Sequence, residues 1–289
     1  MTSGRASGEQ RTPIRVGGAV PDGQVERDAI RGALDLFCEA LGDALGRPVL
    51  PYGLAHYRDL LEAMHDGSLD VAWLPPILAL RATARGRTLP IAIPLRGGAA
   101  SFSSALFTRP GAAWKTPADL VAVRAAWVDR QSAAGYLVVR ASMRAQGFDL
   151  ARAFAAESFL GSHEAVVHAV MSGAADVGAT FVYLDAARGA ILRAGWGAAA
   201  PQVIAYGGPI PSDVIAASIR VPVTTIRAIQ RALCDEGDAA LKLAAARLLG
   251  ADGFVVPLPE HLDPLSRLLG YLDDLHNQSA FPPPIRGSP

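Results

Sequence analysis

Residues 125–139 constrain the fold more than any other stretch, because a strand pattern here runs directly into a helix pattern. The apolar residues 125–128 are typical of a buried strand, and Ser132 precedes the small residues 133–135 that open a helix. A helix start leaves several backbone N–H groups without partners, and the helix dipole adds to their attraction for anions. The stretch therefore predicts either an anion-binding loop or an ordinary strand–helix turn in which Ser132 is only the N-cap.

Strand and helix patterns alternate along most of the chain. Alternation of this kind predicts mostly parallel sheets with right-handed crossovers. One set of elements spans roughly 14–106 and a second spans 116–204, in which the last helix is expected at about 183–194. Further strands and helices follow residue 207. The sequence therefore predicts two α/β lobes, each a mostly parallel sheet flanked by helices, with two chain crossings between them.

The charge balance and the distribution of apolar residues narrow the classes of partner. Lys and Arg total 27, Asp and Glu total 27, and the formal net charge is zero, so no general attraction to nucleic acid or anionic membrane is expected. No apolar run approaches the roughly 18–20 residues of a membrane span. Residues 1–13 have no apolar signal-peptide core. The chain as written is therefore expected to be cytoplasmic, and periplasmic only if its N-terminus was trimmed.

Catalytic and metal-binding motifs are missing from the sequence. It contains no G-x-S-x-G elbow, no P-loop and no H-E-x-x-H zinc motif. Cys38 and Cys234 lie in apolar helical contexts and are interpreted as core residues. His163 and His168 face different sides of a helix, which is not a metal-ligand spacing. We therefore expect no catalytic residue, no metal site and no cofactor.

Polar side chains cluster where the predicted strands end, which is where open parallel sheets bind ligands. Three of these residues have a functional and a structural interpretation. His163 could donate to an anion or could simply begin a helix. Asp213 could accept a hydrogen bond from a ligand or could be a turn residue after Pro211. Tyr57 could reach a ligand with its hydroxyl or could be a half-buried helix residue.

Five motifs resemble, in this order and spacing, the phosphate/phosphite/phosphonate-type substrate-binding proteins of ABC transporters: DVAWLPP, SFSSALF, VDRQSAAGYL, GSHEAVVHAVMSGAADVGA and GPIPSD. The similarity covers about residues 14–235. It implies a type II periplasmic-binding fold, in which two lobes joined by hinge segments close on a small anion. The expected boundaries are 14–106 plus 207–280 for lobe 1, 107–206 for lobe 2, and 1–13 and 281–289 for flexible tails.

The resemblance also implies which residues contact the ligand. The residues that match ligand-contact positions of the family are Tyr57, Phe102, Ser132, Ala133, Ala134, Gly135, His163, Tyr183 and Asp213. Two further candidates come from the sequence pattern alone: Ser103, where a loop meets a strand, and Tyr136, whose backbone N–H lies in the helix start.

The chain departs from the family pattern at its anion loop. The family loop usually reads Ser-Thr-Ser-Gly, whereas Ala133 and Ala134 replace its second and third residues here. The family aromatic is commonly tyrosine, whereas this chain has Phe102. Three possible hydroxyl donors are therefore absent. We expect inorganic phosphate to be a poor ligand, and a carboxylate or an organic phosphonate with an apolar body to fit better.

Two function classes remain open from the sequence. The first is a protein that binds a small phosphonate-like, phosphate-like or carboxylate anion. It would act as a solute receptor or a cytoplasmic sensor, with a transporter or signalling protein as its partner. The alternative is a cytoplasmic enzyme of the same fold that acts on a small organic acid, with His163 or Asp213 as the acid or base.

Overall fold

The computed structural model describes residues 12–20, 24–185, 189–235 and 238–279. The strands are, in chain order, β1 (Ile14–Ala19), β2 (Val49–Leu54), β3 (Val71–Leu74), β4 (Thr88–Leu95), β5 (Ser101–Thr108), β6 (Val123–Trp127), β7 (Phe154–Phe159), β8 (Val177–Leu184), β9 (Ile191–Ala194), β10 (Gln202–Pro211), β11 (Val214–Ser218) and β12 (Gly253–Val255). The helices are α1 (Gln24–Leu45), α2 (Tyr57–Asp66), α3 (Pro76–Ala84), α4 (Val138–Ala145), α5 (Leu150–Ala153), α6 (His163–Met171), α7 (Val223–Cys234), α8 (Ala239–Leu249) and α9 (Pro259–Ser279). Two shorter turns are a 3-10 turn at Pro117–Asp119 and a π-helical turn at Ala133–Leu137.

These elements form two units. The first unit contains Met1–Ala100 and Ser212–Pro257, and the second contains Ser101–Pro211 and Leu258–Pro289, in both cases as far as the residues are described. β5 belongs to the second unit because it pairs with β8 and β10 along its length. α9 belongs to it because it packs on α4 and β10. From the sequence we expect both elements in the first lobe, apart from the last residues of β5.

The predicted flexible tails fall almost entirely outside the described residues. Of the expected tails 1–13 and 281–289, only Thr12 and Pro13 are described, and they directly precede β1. The structure therefore adds nothing to that expectation.

The first unit is built on a six-stranded sheet in the order β12-β4-β11-β3-β1-β2. β2 and β3 run parallel to β1, whereas β11 runs antiparallel to β3 and β4. α1, α7 and α8 enclose one core of this unit, in which Leu34, Phe37 and Ile229 are buried. The carboxyl ends of β1 to β4 and the amino end of β11 consequently lie at one edge of the sheet.

The second unit is built on the order β10-β5-β8-β6-β7, with β9 paired to β8. β7 and β8 run parallel to β6, whereas β5 runs antiparallel to β8. α4 packs on one face through Val139 and Met143, which share a buried cluster with Trp127, and α6 packs on the other through Val166 and Val170. The carboxyl ends of β6, β7 and β8 and the amino end of β5 therefore meet at one edge.

The predicted α/β fold of two lobes is confirmed, but both sheets are mixed and not mostly parallel. The antiparallel strands β5 and β11 each follow directly after the chain passes from one unit to the other. No helix lies before either strand to return the chain for parallel pairing, so both strands enter antiparallel to their neighbours.

The prediction of a helix at about 183–194 is wrong for the described residues, and residues 186–188 lie outside them. Tyr183 lies in β8, and the chain returns as β9, which pairs antiparallel with it and places Arg193 opposite Tyr183. Residues 177–183 are rich in β-branched and aromatic side chains, which favour a strand. Ile191 is exposed in the structure, so no core is present to bury a helical apolar face here.

Candidate functional site

The predicted strand–loop–helix stretch is present in the second unit, but its helix opens with a π-turn. The term π-turn is used below for Ala133–Leu137. The N–H of Leu137 donates to the carbonyl of Ser132 at 2.9 Å, five residues back, where an α-helix would reach four. The Ser132 hydroxyl accepts from the N–H of Gly135 at 3.1 Å, which confirms the predicted N-cap. α4 then continues to Ala145, as expected.

Close packing fixes the path of this loop. A Cβ atom on Gly135 would lie 2.4 Å from Cγ2 of Val128, so only glycine fits beside the residue that follows β6. On the other side, the fully buried hydroxyl of Ser104 donates to the carbonyl of Ala134. The sequence pattern marks both Ser103 and Ser104, where a loop meets a strand, but predicts only Ser103 as a ligand contact and does not predict the packing role of Ser104. Ser103 is half-buried and lies opposite Val182 in the β5–β8 ladder.

The π-turn leaves donors that an anion could use. The N–H groups of Ala133, Ala134 and Tyr136 precede the first five-residue backbone bond of the turn and so have no intrahelical acceptor. The Ser132 hydroxyl, which already accepts from Gly135, can still donate its own proton. The positive end of the helix dipole favours an anion at this position.

His163 begins α6, as predicted from the sequence. The hydroxyl of Ser162 caps the helix by accepting from the N–H of Ala165 at 3.1 Å. Nδ1 of His163 lies 2.8 Å from Oγ1 of Thr180, which is fully buried in β8. Burial lowers the pKa of His163, against a smaller opposing effect of the Asp129 carboxylate. The neutral imidazole is thereby favoured.

Aromatic side chains gather near the amino end of β5 and the carboxyl end of β8. The rings of Phe102 and Tyr183 are 5.6 Å apart, and Phe181 lies 6.1 Å from Tyr183. Phe181 also packs edge-on against His163 at 5.1 Å. Arg193 of β9 stacks over Phe181 at 5.8 Å, a cation that sequence reasoning missed because it expected a helix there.

The sheet topology brings one group of predicted residues to one edge of the second sheet. They are Phe102, Ser103, residues 132–136, His163 and Tyr183. Their roles as ligand contacts stay predictions. The arrangement offers N–H and hydroxyl donors beside aromatic rings, which suits an anion that carries an apolar group.

The other two predicted residues lie at the corresponding edge of the first sheet. Tyr57 is the first residue of α2, and burial, with a smaller effect of the Asp213 carboxylate, raises its pKa to about 12. Asp213 accepts a hydrogen bond from Arg96 at 2.9 Å. Arg96 is itself held by two hydrogen bonds, of 2.8 and 3.1 Å, to the carbonyl of Leu249 at the end of α8.

Arg96 changes the interpretation of Asp213. The guanidinium of Arg96 forms an ion pair with the Asp213 carboxylate, which the sequence predicted to accept a hydrogen bond from a ligand. Sequence reasoning missed this arginine because 117 positions separate it from Asp213, and only the pairing of β4 with β11 brings the two together. Among the described residues, no group of three or more His, Cys, Asp or Glu side chains could hold a metal ion.

Comparison with known proteins gives one matching family and several similar structures. The family described as "ABC transporter, phosphonate, periplasmic substrate-binding protein" matches residues 23–262. XAC2383 from Xanthomonas citri, solved bound to ATP, is 16% identical over 92% of this chain and 98% of its own, with a TM-score of 0.71. PhnD1 from Prochlorococcus marinus, solved with methylphosphonate, is 17% identical over 90% of this chain and 98% of its own, with a TM-score of 0.62.

A third similar structure is a binding protein component of an ABC phosphonate transporter from Pseudomonas aeruginosa. It is 19% identical over 92% of this chain and 88% of its own, with a TM-score of 0.61. At these identities the structural likeness shows the fold.

No helix in the described part of the chain combines the length and apolar character that a membrane crossing requires.

Proposed function

The chain belongs to the ABC transporter, phosphonate, periplasmic substrate-binding protein family, and on this premise we propose that it binds a small oxyanion at the π-turn. The observation that carries the proposal is the set of donors there. Ser132 offers a hydroxyl proton, and Ala133, Ala134 and Tyr136 offer N–H groups without intrahelical acceptors. Hydrogen bonds of this kind to an ionised acceptor are stronger than neutral ones.

The preferred ligand is a phosphonate or carboxylate with an apolar substituent, and not inorganic phosphate. A tetrahedral oxyanion requires a donor for each oxygen once water is removed. Ala133 and Ala134 supply no hydroxyl, whereas Phe102 and Tyr183 offer aromatic surface at the same edge of the sheet. A charge-assisted hydrogen bond contributes roughly 1.5–3 kcal/mol, so an anion with fewer oxygens and one apolar group loses less here than phosphate does.

Calorimetry with three probes tests the proposal. We take methylphosphonate as the first probe, because the related PhnD1 was solved in complex with it, and compare it with inorganic phosphate and propionate. Methylphosphonate or propionate should bind more tightly than phosphate, and Ser132→Ala should weaken the binding. Absence of binding by all three probes would contradict the oxyanion proposal, and tight phosphate binding would contradict the ligand class.

In the cell, we propose that the chain is a solute receptor that delivers its anion to an ABC transporter. Membership of the family supports this role. The cytoplasmic sensor expected from the N-terminal sequence is the competing proposal. Fractionation of native cells separates the two roles. Release of the protein with a periplasmic marker supports the receptor, and recovery with a cytoplasmic marker supports the sensor.

A further inference from the structure

Arg140 occupies an aromatic cage directly behind the π-turn. Its guanidinium carbon lies 4.9 Å from the ring centre of Tyr136, 5.5 Å from that of Phe154 and 5.7 Å from that of Trp127. The side chain is only 13% exposed in its ion pair. A cation over aromatic faces at these distances is attracted by them, and more strongly when it is desolvated.

One carboxylate holds the cage together. Glu157 of β7 accepts from the indole N–H of Trp127 at 2.7 Å, and the same oxygen accepts from Arg140. A buried arginine requires such a partner, because an unpaired charge in the protein interior is strongly destabilising. The guanidinium is therefore held in one place by a carboxylate and three rings.

Two of the three rings come from the two ends of the loop between β6 and α4. Trp127 is the last residue of β6, the strand that leads into the loop, and Tyr136 is the fourth residue of the π-turn that ends it. Their rings also meet edge-on, with centres 5.7 Å apart. Arg140 lies in the first turn of α4 and contacts the rings of Trp127 and Tyr136. It therefore connects the start of the loop between β6 and α4 with the end of that loop.

We propose that Arg140, paired with Glu157, is a positioning residue that holds the π-turn in the geometry that binds the oxyanion. This inference rests on the proposed function. Arg140 acts through Tyr136 and Trp127, whose places set the direction of the N–H groups between them. Glu157 neutralises the charge of Arg140, so the effect is one of geometry more than of long-range attraction.

The experiment removes both charges together. In the double variant Arg140→Met, Glu157→Gln, the glutamine can still accept from Trp127. Methionine is a hydrophobic side chain of similar size, and replacement of a buried ion pair by such residues is often neutral for stability. We expect a melting temperature close to that of the wild type. The Kd for methylphosphonate should rise about tenfold, the lower end of the loss found when partners that orient ligating groups are removed from metal sites. Hydrogen exchange of the amides at residues 133–138 should become faster.

A matched control lies near the amino end of β6, the strand whose last residue is Trp127. Arg124 and Asp176 form an ion pair of 2.7 Å near the amino end of β6. The double variant Arg124→Met, Asp176→Asn removes an arginine–carboxylate pair of similar length whose arginine is more exposed, and it does not touch the cage. It should bind methylphosphonate as the wild type does and leave exchange at residues 133–138 unchanged.

The outcomes separate this inference from the proposed function. If the wild type binds methylphosphonate and the Arg140 double variant binds it equally well, the positioning role is overturned and the proposed function stands. If the wild type binds none of the oxyanions, the proposed function fails and this inference fails with it. Should the double variant not fold, Arg140→Lys keeps the charge for Glu157 but loses the planar stack. It should bind several-fold more weakly, and unchanged binding overturns the inference.

Discussion

Oγ1 of Thr180 lies 2.8 Å from Nδ1 of His163, and this contact fixes which nitrogen of the imidazole is free. Thr180 is fully buried in β8, whereas His163 is the first residue of α6. When the threonine hydroxyl donates to Nδ1, the proton of the neutral ring is on Nε2. A neutral His163 can then donate to an oxyanion without first becoming charged.

We predict that the threonine hydroxyl contributes to anion binding although it lies behind the histidine. Thr180→Val keeps the shape and burial of the side chain but removes the hydroxyl. The imidazole loses its anchor, and the Kd for methylphosphonate should rise several-fold, as for other partners that orient a ligating histidine. Thr180→Ser, which keeps the hydroxyl, should bind nearly as the wild type does. Equal binding by all three proteins in calorimetry would remove Thr180 from the site.

Burial of His163 should make stability depend on pH. The ordinary pKa is 6.5, and burial lowers the pKa in the folded protein, with Asp129 opposing in part. Between the lowered pKa of the folded state and the ordinary pKa of the unfolded state, the unfolded state holds more protons. The free energy of unfolding therefore rises with pH in this window, and the contribution of His163 is lost as the pH falls through it from the ordinary pKa. Urea unfolding of wild type and His163→Gln at several pH values should show a smaller slope in the variant. Identical slopes would contradict the assigned burial effect.

Of the two alanines that replace hydroxyl residues of the family loop, only Ala133 should strengthen phosphate binding when a hydroxyl is restored. Ala133 is half-buried, so a hydroxyl in Ala133→Thr can reach an anion, and one charge-assisted hydrogen bond is worth about tenfold or more in affinity. Ala134 is only 4% exposed and its carbonyl is held by Ser104, so Ala134→Ser should give no gain. Calorimetry with inorganic phosphate measures both variants. No gain from Ala133→Thr would mean that the loop is not aligned with the family loop.

The close approach of Gly135 and Val128 predicts a pair of coupled substitutions. Gly135→Ala places a methyl group where Cγ2 of Val128 lies, and overpacking of this kind typically costs about 1–3 kcal/mol. Val128→Ala should recover part of that loss, because it opens the space that the new methyl group needs. Urea unfolding of the two single variants and the double variant gives the coupling. Strict additivity would show that the two side chains do not compete for space.

Tyr57 should ionise far above its usual range. Burial, with a smaller effect of the Asp213 carboxylate, raises its pKa from 10.0 to about 12. Tyr57→Phe should remove the last step of an ultraviolet titration of the tyrosines. Asp213→Asn should move that step to lower pH, since it removes a negative charge and leaves the nearby Arg96 uncompensated. A titration of the Asp213→Asn protein that overlays the wild type would argue against the assigned charge effect.

Local features of the second unit were predictable because their determinants are adjacent in sequence. Ser132 caps the helix start because it directly precedes it, and His163 begins α6 because Ser162 provides the cap. The π-helical form of the first turn was not predictable. The contact between this turn and the hydroxyl of Ser104 was equally hidden, because Ser104 lies 30 positions before Ala134, whose carbonyl it bonds.

Residues that act across the sheet could not be found from sequence patterns. The sequence marks Thr180 only as a plausible lining residue near the end of a strand, and its contact with His163 is visible only in the fold. Arg140 lies in an amphipathic stretch and becomes informative only because the fold places Glu157 beside it. Arg96 likewise depends on the β4–β11 pairing for its contact with Asp213. The antiparallel directions of β5 and β11 were not predictable either. They depend on where the chain passes from one unit to the other, and not on the local spacing of apolar residues.

The π-turn holds one residue more per turn than an α-helix would need. Removal of one alanine at residues 133–134 would allow the helix to start as an ordinary α-turn without shifting the register of Val139 and Met143 in the core. An insertion or deletion elsewhere in α4 would rotate every buried side chain after it. We therefore expect a change of length at this one position to alter the donors of the loop while the packing of α4 is kept.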